Sequence, residues 1–139
     1  MIRFGALGAA KISPTALIYP CMNESNAQVV AIAARDRARA ERFAEAHHIR
    51  TVCEGYDEVV HHGDVNAVYN PLPISAHHEW TIKALKAGKH VLCEKSLSCN
   101  AEEAEEMNAV AKEKGLVLMD AFHYRYHPLF NRVRGIYRS

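Results

Sequence analysis

The sequence predicts an α/β fold, a doubly wound parallel sheet with helices on both faces. Three observations lead there. Along its 139 residues, short apolar runs of strand length alternate with helix-forming stretches through short links, and parallel neighbours need such crossovers. The first apolar run enters a helix through a turn of small residues, Gly8-Ala9-Ala10-Lys11-Ile12-Ser13. Residues able to do chemistry then collect just after the strands, where open parallel sheets bind ligands.

Ile2-Arg3-Phe4-Gly5-Ala6-Leu7 suits burial on both faces. Ser13 is a good N-cap and Pro14 fits the first helical position, where no backbone donor is lost, so a helix is expected over Pro14 to Met22. Gln28 to Ala33 is the second buried strand, and Arg37 to His47 follows as a helix capped by Asp36. Val52-Cys53 makes a short third strand. Tyr56 to His61 is a small helix with Asp57 and Glu58 near its positive end. Asn66 to Tyr69 is the fourth strand, ended by Pro71 and Pro73, which cannot continue a central strand. His77 to Ala87 is a helix stopped by Gly88. His90 to Cys93 is the fifth strand, Ala101 to Lys114 a helix between Asn100 and Gly115, and Leu116 to Met119 the sixth strand. In the tail, Asp120 to Ser139, Leu129, Val133 and Ile136 fall on one helical face.

The length suits one domain with a real core, and 49% apolar with 24% charged residues is an ordinary globular balance. A net charge of +1, with basic residues scattered among acidic ones, leaves no electrostatic footprint for nucleic acid. No apolar run approaches membrane-spanning length, and no basic-then-apolar leader precedes the first strand. Cys21, Cys53, Cys93 and Cys99 lack C-x-x-C spacing. A cytoplasmic protein with reduced thiols is expected, without nucleic-acid or membrane partners. The paired histidines His47-His48, His61-His62 and His77-His78 diverge on a helix, and His78-Glu79 lacks the second histidine of a zinc helix because Ile82 stands there. No metal is expected.

The Gly8 turn aims backbone N–H groups at one spot, which suits a phosphate. Set against G-x-G-x-x-G/A, the positions read Gly8, Ala10 and Ser13. Gly8 makes the tight turn, Ala10 admits the pyrophosphate, and Ser13 allows close helix–strand packing, in a Rossmann-type arrangement. Lys11 and Ile12 complete the expected cofactor-facing turn. An acidic residue ending the second strand would bind the ribose hydroxyl of NAD. Ala34 stands there instead and Arg35 follows, which favours NADP over NAD; a solvated surface charge is the plainer reading of Arg35. Glu94-Lys95 follows an apolar strand at the rim, where a lysine can handle a proton or stabilise developing charge on oxygen, and Glu94 is expected to hold its head group. His77, just after the fourth-strand loop, is expected to line the cleft. Tyr124 and Arg125 either face a substrate or pack at a junction.

These residues, in order, resemble a known family. The Ile2–Ser13 turn, Ala33-Ala34-Arg35-Asp36, Pro73 with His77, the run Ala87-Gly88-Lys89-His90-Val91-Leu92-Cys93-Glu94-Lys95 and Met119 to Pro128 resemble the N-terminal domain of the Gfo/Idh/MocA oxidoreductases. Within that family they are most similar to the branch of dimeric dihydrodiol dehydrogenase and NADP-dependent D-xylose dehydrogenase. The resemblance implies NADP-dependent hydride transfer on a sugar, polyol or vicinal diol. It implies Lys95 as the catalytic lysine, Gly8 in the cofactor turn, Arg35 at the NADP position, and Pro73 and His77 on the nicotinamide side.

Two positions depart from the family pattern. Ser96 replaces the proline after the lysine; a cis bond before serine costs about 2.5–4 kcal/mol, so a trans bond is expected. Ile74 replaces an asparagine, removing one cofactor contact. Family members continue into an α/β substrate domain through which they often form homo-oligomers. Residues 1–122 are therefore expected to be the dinucleotide-binding domain, and 123–139 the start of a connection to that further domain. The alternative is a non-catalytic NADP-binding module, or a degraded enzyme with a sensing or scaffold role.

Overall fold

Six short segments rich in Val, Ile, Leu and Ala pair into one sheet: β1 Ile2–Leu7, β2 Ala27–Ala33, β3 Thr51–Val52, β4 Ala67–Asn70, β5 His90–Cys93 and β6 Leu118–Asp120. The structure is a computed structural model and describes residues 1–138. Every pairing is parallel, in the order β3-β2-β1-β4-β5-β6. The helices are α1 Tyr19–Met22, α2 Arg37–His47, α3 Tyr56–His61, α4 His77–Lys86, α5 Ala101–Lys114 and α6 Pro128–Tyr137. The doubly wound sheet read from the sequence is the observed one. None of the helices among the described residues is long and apolar enough to cross a membrane.

Local chemistry sets most of the boundaries. Asp36 accepts the Arg39 N–H at 3.1 Å and starts α2, while Asn100 accepts the Glu103 N–H at 2.8 Å and starts α5. Gly115, at φ 65°, closes α5, and the Leu116 N–H then bonds the Ala111 carbonyl at 2.9 Å. That capping bond holds Leu116 at the helix end, so the sixth strand begins two residues later than expected. The third and fourth strands are each shifted by one residue, and a 3₁₀ turn, Ile74–Ala76, leads into α4.

The first helix differs in kind. Pro14–Ile18 is a π-helical turn, with the Tyr19 N–H reaching the Pro14 carbonyl, and only Tyr19–Met22 is α-helical. Pro20 has no N–H to offer Ala16, and its ring crowds that carbonyl, so the turn widens. Ser13 is not the expected cap. Its backbone is already helical, and among the described residues its buried hydroxyl has no hydrogen-bond partner.

One core lies between the sheet and α3 to α5, built on Leu7, Val59, Val68, Leu85 and Val91. A smaller one joins Ala6, Ile18, Ile32, Ala44 and Ile49 under the first helical turns and α2. Beyond it, Phe4, Leu92, Val117 and Met119 line an apolar cavity of about 490 Å³ on the sheet. Leu129, Val133 and Ile136 share one face of α6 as expected, yet they stay 66%, 54% and 61% exposed.

Gly5 allows α3 to approach β1. A Cβ there would lie 2.5 Å from Val59 Cγ1 and 3.0 Å from Val65 Cγ2. Gly5→Ala should cost about 1–3 kcal/mol in thermal unfolding. Adding Val59→Ala should recover part of that loss; a variant as stable as the parent would show that α3 is free to move away.

Candidate functional site

The register sets the strand ends level. Leu7 pairs with Ala33, Asn70 with Cys93, and Cys93 with Asp120. Gly8, Ala34, Pro71, Glu94 and Ala121 therefore leave the sheet at one rim. The chain reverses its winding between β1 and β4, the crevice where open sheets bind dinucleotides. Lys95 leaves two strands from Gly8, about 10 Å away by strand spacing.

A cavity of about 250 Å³ opens at that crevice, lined by Gly8, Ala10, Arg35, Arg39, Tyr56 and Pro73 among others. Gly8 has φ +98°, and a Cβ there would meet Leu72 Cδ2 at 3.4 Å. Both the backbone shape and the space favour glycine. The carboxylate of Asp36 caps α2 instead of offering itself to a ribose. Arg35 is exposed at the mouth. Arg39 anchors the wall by donating from Nη2 to the Ala9 carbonyl at 2.7 Å. Small residues, a tight turn and two guanidinium groups fit the phosphorylated adenosine end of a dinucleotide.

The cavity brings together four of the expected residues, Gly8, Ala10, Arg35 and Pro73. Lys11 and Ile12 are exposed on the turn and do not line it, because the chain swings outward before Ser13 turns in again. Glu94 sits further along the rim. It is only 7% exposed and lines a second cavity of about 140 Å³ with Tyr69, Ala121, Phe122, His123 and Tyr126.

Three expectations are corrected here. Glu94 does not hold the Lys95 ammonium: its carboxylate accepts the Tyr69 hydroxyl at 2.8 Å and the Lys95 backbone N–H at 3.3 Å. The inward-facing phenol reaches the carboxylate first, while Lys95 itself is exposed, with no ion pair or side-chain hydrogen bond among the described residues. His77 does not line the cleft either. It is 1% exposed, with Nε2 2.7 Å from the Leu72 carbonyl and Nδ1 2.8 Å from the Ser96 carbonyl. The Lys95–Ser96 peptide is cis, not trans. Tyr124 packs edge-on against Phe130, with ring centroids 4.9 Å apart, and Arg125 is exposed.

Burial and the Glu94 carboxylate beside it push the Tyr69 phenol well above its ordinary range, so it stays a donor. Burial pushes the Cys93 thiol up to about 12, which makes it a packing group and not a nucleophile. Burial, and then Glu94, raise the Asp120 carboxyl, partly offset by His77. Sequence reasoning missed Arg39 and Tyr69. For Arg39 a signal existed: two arginines stand in the first turn of α2, where the helix dipole disfavours cations, and Arg37 is already matched by Glu41 and Glu54. For Tyr69 the only cue was an aromatic hydroxyl near the end of a wholly buried strand.

Strand order, switch-point cavity and glycine turn together define the class, a dinucleotide-binding Rossmann domain. The chain belongs to the Gfo/Idh/MocA family: the family profile described as "Oxidoreductase family, NAD-binding Rossmann fold" matches residues 2–122. It is 43% identical over 132 residues to a dTDP-3,4-didehydro-2,6-dideoxy-alpha-D-glucose 3-reductase of Actinomadura kijaniata, covering 95% of this chain and 40% of that one. It is 38% identical over 138 residues to D-xylose 1-dehydrogenase (NADP(+)) 2 of Haloferax volcanii, covering 99% and 42%. A trans-1,2-dihydrobenzene-1,2-diol dehydrogenase of Xenopus tropicalis is 33% identical over 135 residues, covering 96% and 41%. The crystal structure of KijD10, a 3-ketoreductase from Actinomadura kijaniata in complex with NADP and TDP-benzene, superposes with a TM-score of 0.91 at 41% identity, covering 99% of this chain and 42% of that one. The chain thus spans about two-fifths of the length of these relatives.

Tyr69→Phe should leave the Glu94 carboxylate buried without its short donor. A stability loss of about 1.5–3 kcal/mol in denaturant unfolding is expected. A loss of only a few tenths would mean that water replaces the phenol.

Proposed function

We propose that this chain binds NADP and is the cofactor-binding half of an oxidoreductase acting on a sugar, polyol or vicinal diol. The observation that carries the reading is the switch-point cavity, which sets the Gly8 turn beside Arg35 and Arg39 with no free acid at the end of β2. A ribose 2′-phosphate there meets two guanidinium groups, while the Asp36 carboxylate, which also lines the cavity, is engaged through Oδ1 in capping α2. The relatives support the choice: one carries NADP in its name and another was crystallised with it. Their substrates, as named, are a sugar-nucleotide ketone, a pentose and a dihydrodiol. Each presents a carbonyl or carbinol carbon beside oxygenated carbons.

In this reading the Gly8–Ile12 turn receives the pyrophosphate, with Ala10 leaving room for it, and Arg35 and Arg39 bind the 2′-phosphate. Pro73 bounds the floor toward the nicotinamide side. Nicotinamide, when bound, supplies the hydride donor or acceptor. Lys95, whose ammonium has no ion pair or side-chain hydrogen bond among the described residues, exchanges the proton of the substrate oxygen and stabilises charge developing there. Glu94, held by Tyr69, keeps the backbone entering Lys95 in place through the Lys95 N–H. Residues 1–122 form the cofactor domain, and the segment from residue 123 begins the connection to a substrate domain.

NADPH should raise the melting temperature more than NADH. At a hundredfold excess over its dissociation constant a ligand stabilises by about 2.7 kcal/mol. Equal shifts, or none, would remove the Arg35 argument. Arg35→Ala combined with Arg39→Ala should weaken NADPH binding by roughly tenfold or more, the worth of a charge-assisted hydrogen bond, and spare NADH. Lys95→Ala should preserve the NADPH-induced shift while abolishing turnover in a protein that carries both domains. Unaltered turnover would dismiss the lysine.

A further inference from the structure

α6 adds nothing to either core, and none of its residues is buried. Leu129, Val133 and Tyr137 recur at every fourth position and form one apolar stripe, with Tyr137 90% exposed. Arg132 and Arg134 flank the stripe, and the helix carries no acidic residue. Two contacts fix how α6 leaves the body. His127 caps it by accepting the Leu129 N–H at 3.2 Å, and Phe130 packs on Tyr124 of the 3₁₀ turn His123–Tyr126. Held so, the stripe covers none of the chain's own sheet: no residue of α6 lines the apolar cavity there.

The open face of the sheet has the complementary shape. It spans β1, β4, β5 and β6, with Phe4, Leu92 and Met119 along it and Met1, Ile2 and Val117 exposed around it. Four strands about 4.8 Å apart leave roughly 14 Å between the first helical turns and the β6 edge, room for one helix. A ten-residue helix is about 15 Å long, close to the length of these strands. The two apolar surfaces adjoin. Leu92 and Met119 also line the smaller cavity beside the 3₁₀ turn, where the Tyr126 hydroxyl lies 3.6 Å from the Met119 sulfur. Ridge and groove thus stand side by side on every copy of the chain, which is what a two-fold, self-complementary contact requires. Leu129, Val133, Tyr137, Met1, Ile2 and Val117 are 46–90% exposed, and covering them buries roughly 800 Å² per copy, one side of a standard interface.

We propose that this chain pairs with a second copy of itself by exchanging α6: the Leu129, Val133 and Tyr137 stripe of each copy lies in the open sheet face of the other. The contact is isologous and closes on itself, so it gives a dimer and no further growth. The exchange uses neither NADP nor Lys95, so it stands or falls apart from the cofactor reading.

The test is sedimentation equilibrium of the 139-residue chain, which should be a dimer at micromolar concentration. Val133→Glu on the stripe and Val117→Lys at the groove change exposed positions and should keep the circular dichroism of the parent. Each should weaken self-association by roughly tenfold or more, because a lone charge would be buried in both contacts. Mixed in equal amounts, the two variants should pair again. One contact of the mixed dimer is then unaltered, and the other sets the new carboxylate against the new ammonium. Met22→Lys, exposed but outside both surfaces, should change nothing. A monomer up to millimolar concentration would overturn the proposal, and so would a dimer that ignores either variant. Variants that weaken pairing singly but do not recover when mixed would mean that α6 meets something other than the sheet face, which overturns it as well. If Val117→Lys does not fold, Ile2→Lys takes its place at the groove.

Discussion

Ala6 faces Tyr69, Tyr69 faces Leu92 and Leu92 faces Met119, straight across four parallel strands. This register sets the strand ends level, and the site depends on it. A slip of one residue would turn every inward side chain of a strand to its other face. Tyr69 would leave Glu94, and Asn70 would leave Thr81 and the start of α4. Burial on both faces makes such a slip expensive, so the rim is held by the hydrophobic effect more than by any contact at the rim itself.

The rim is electrically divided. Two arginines stand at its β1–β2 end, near solvent, where an anionic group can displace water at little cost. Toward β5 and β6 lie a buried carboxyl, Glu94, a half-buried one, Asp120, the Tyr69 phenol and the His77 imidazole. Desolvation and mutual repulsion act there in the same direction, and the Asp120 carboxyl and Tyr69 phenol both move above their ordinary values. Such a cluster is sensitive to the loss of any one of its hydrogen bonds and well able to hold a backbone in one shape.

The sheet is covered unevenly. α3 to α5 cover one face, while on the other the first helical turns and α2 cover the β1–β3 side. Over the rest, an apolar cavity lies on β1, β4, β5 and β6. The relatives are more than twice as long, and family resemblance at this coverage speaks for the cofactor half. The exposed apolar face of α6 belongs to the same part of the molecule that the family profile, ending at residue 122, does not describe.

What the sequence determined by itself is what short-range chemistry decides. Apolar runs, the Asp36 and Asn100 caps, Gly88 and Gly115 and the crossover pattern were legible because each acts within about one helical turn or along one strand. The Gly8 turn and the position of Arg35 were legible for the same reason. Pro20 was equally local, and its widening of the first helix could have been read. Tertiary structure alone decided how the rim is wired. Tyr69 reaches Glu94 across two strands, His77 turns inward to carbonyls of two different loops, and Arg39 folds back on Ala9. Those partners are separated in the chain by as much as 30 residues, and no local preference says which side chain arrives first. That is settled only when the strands come level and the interior has room for one polar arrangement.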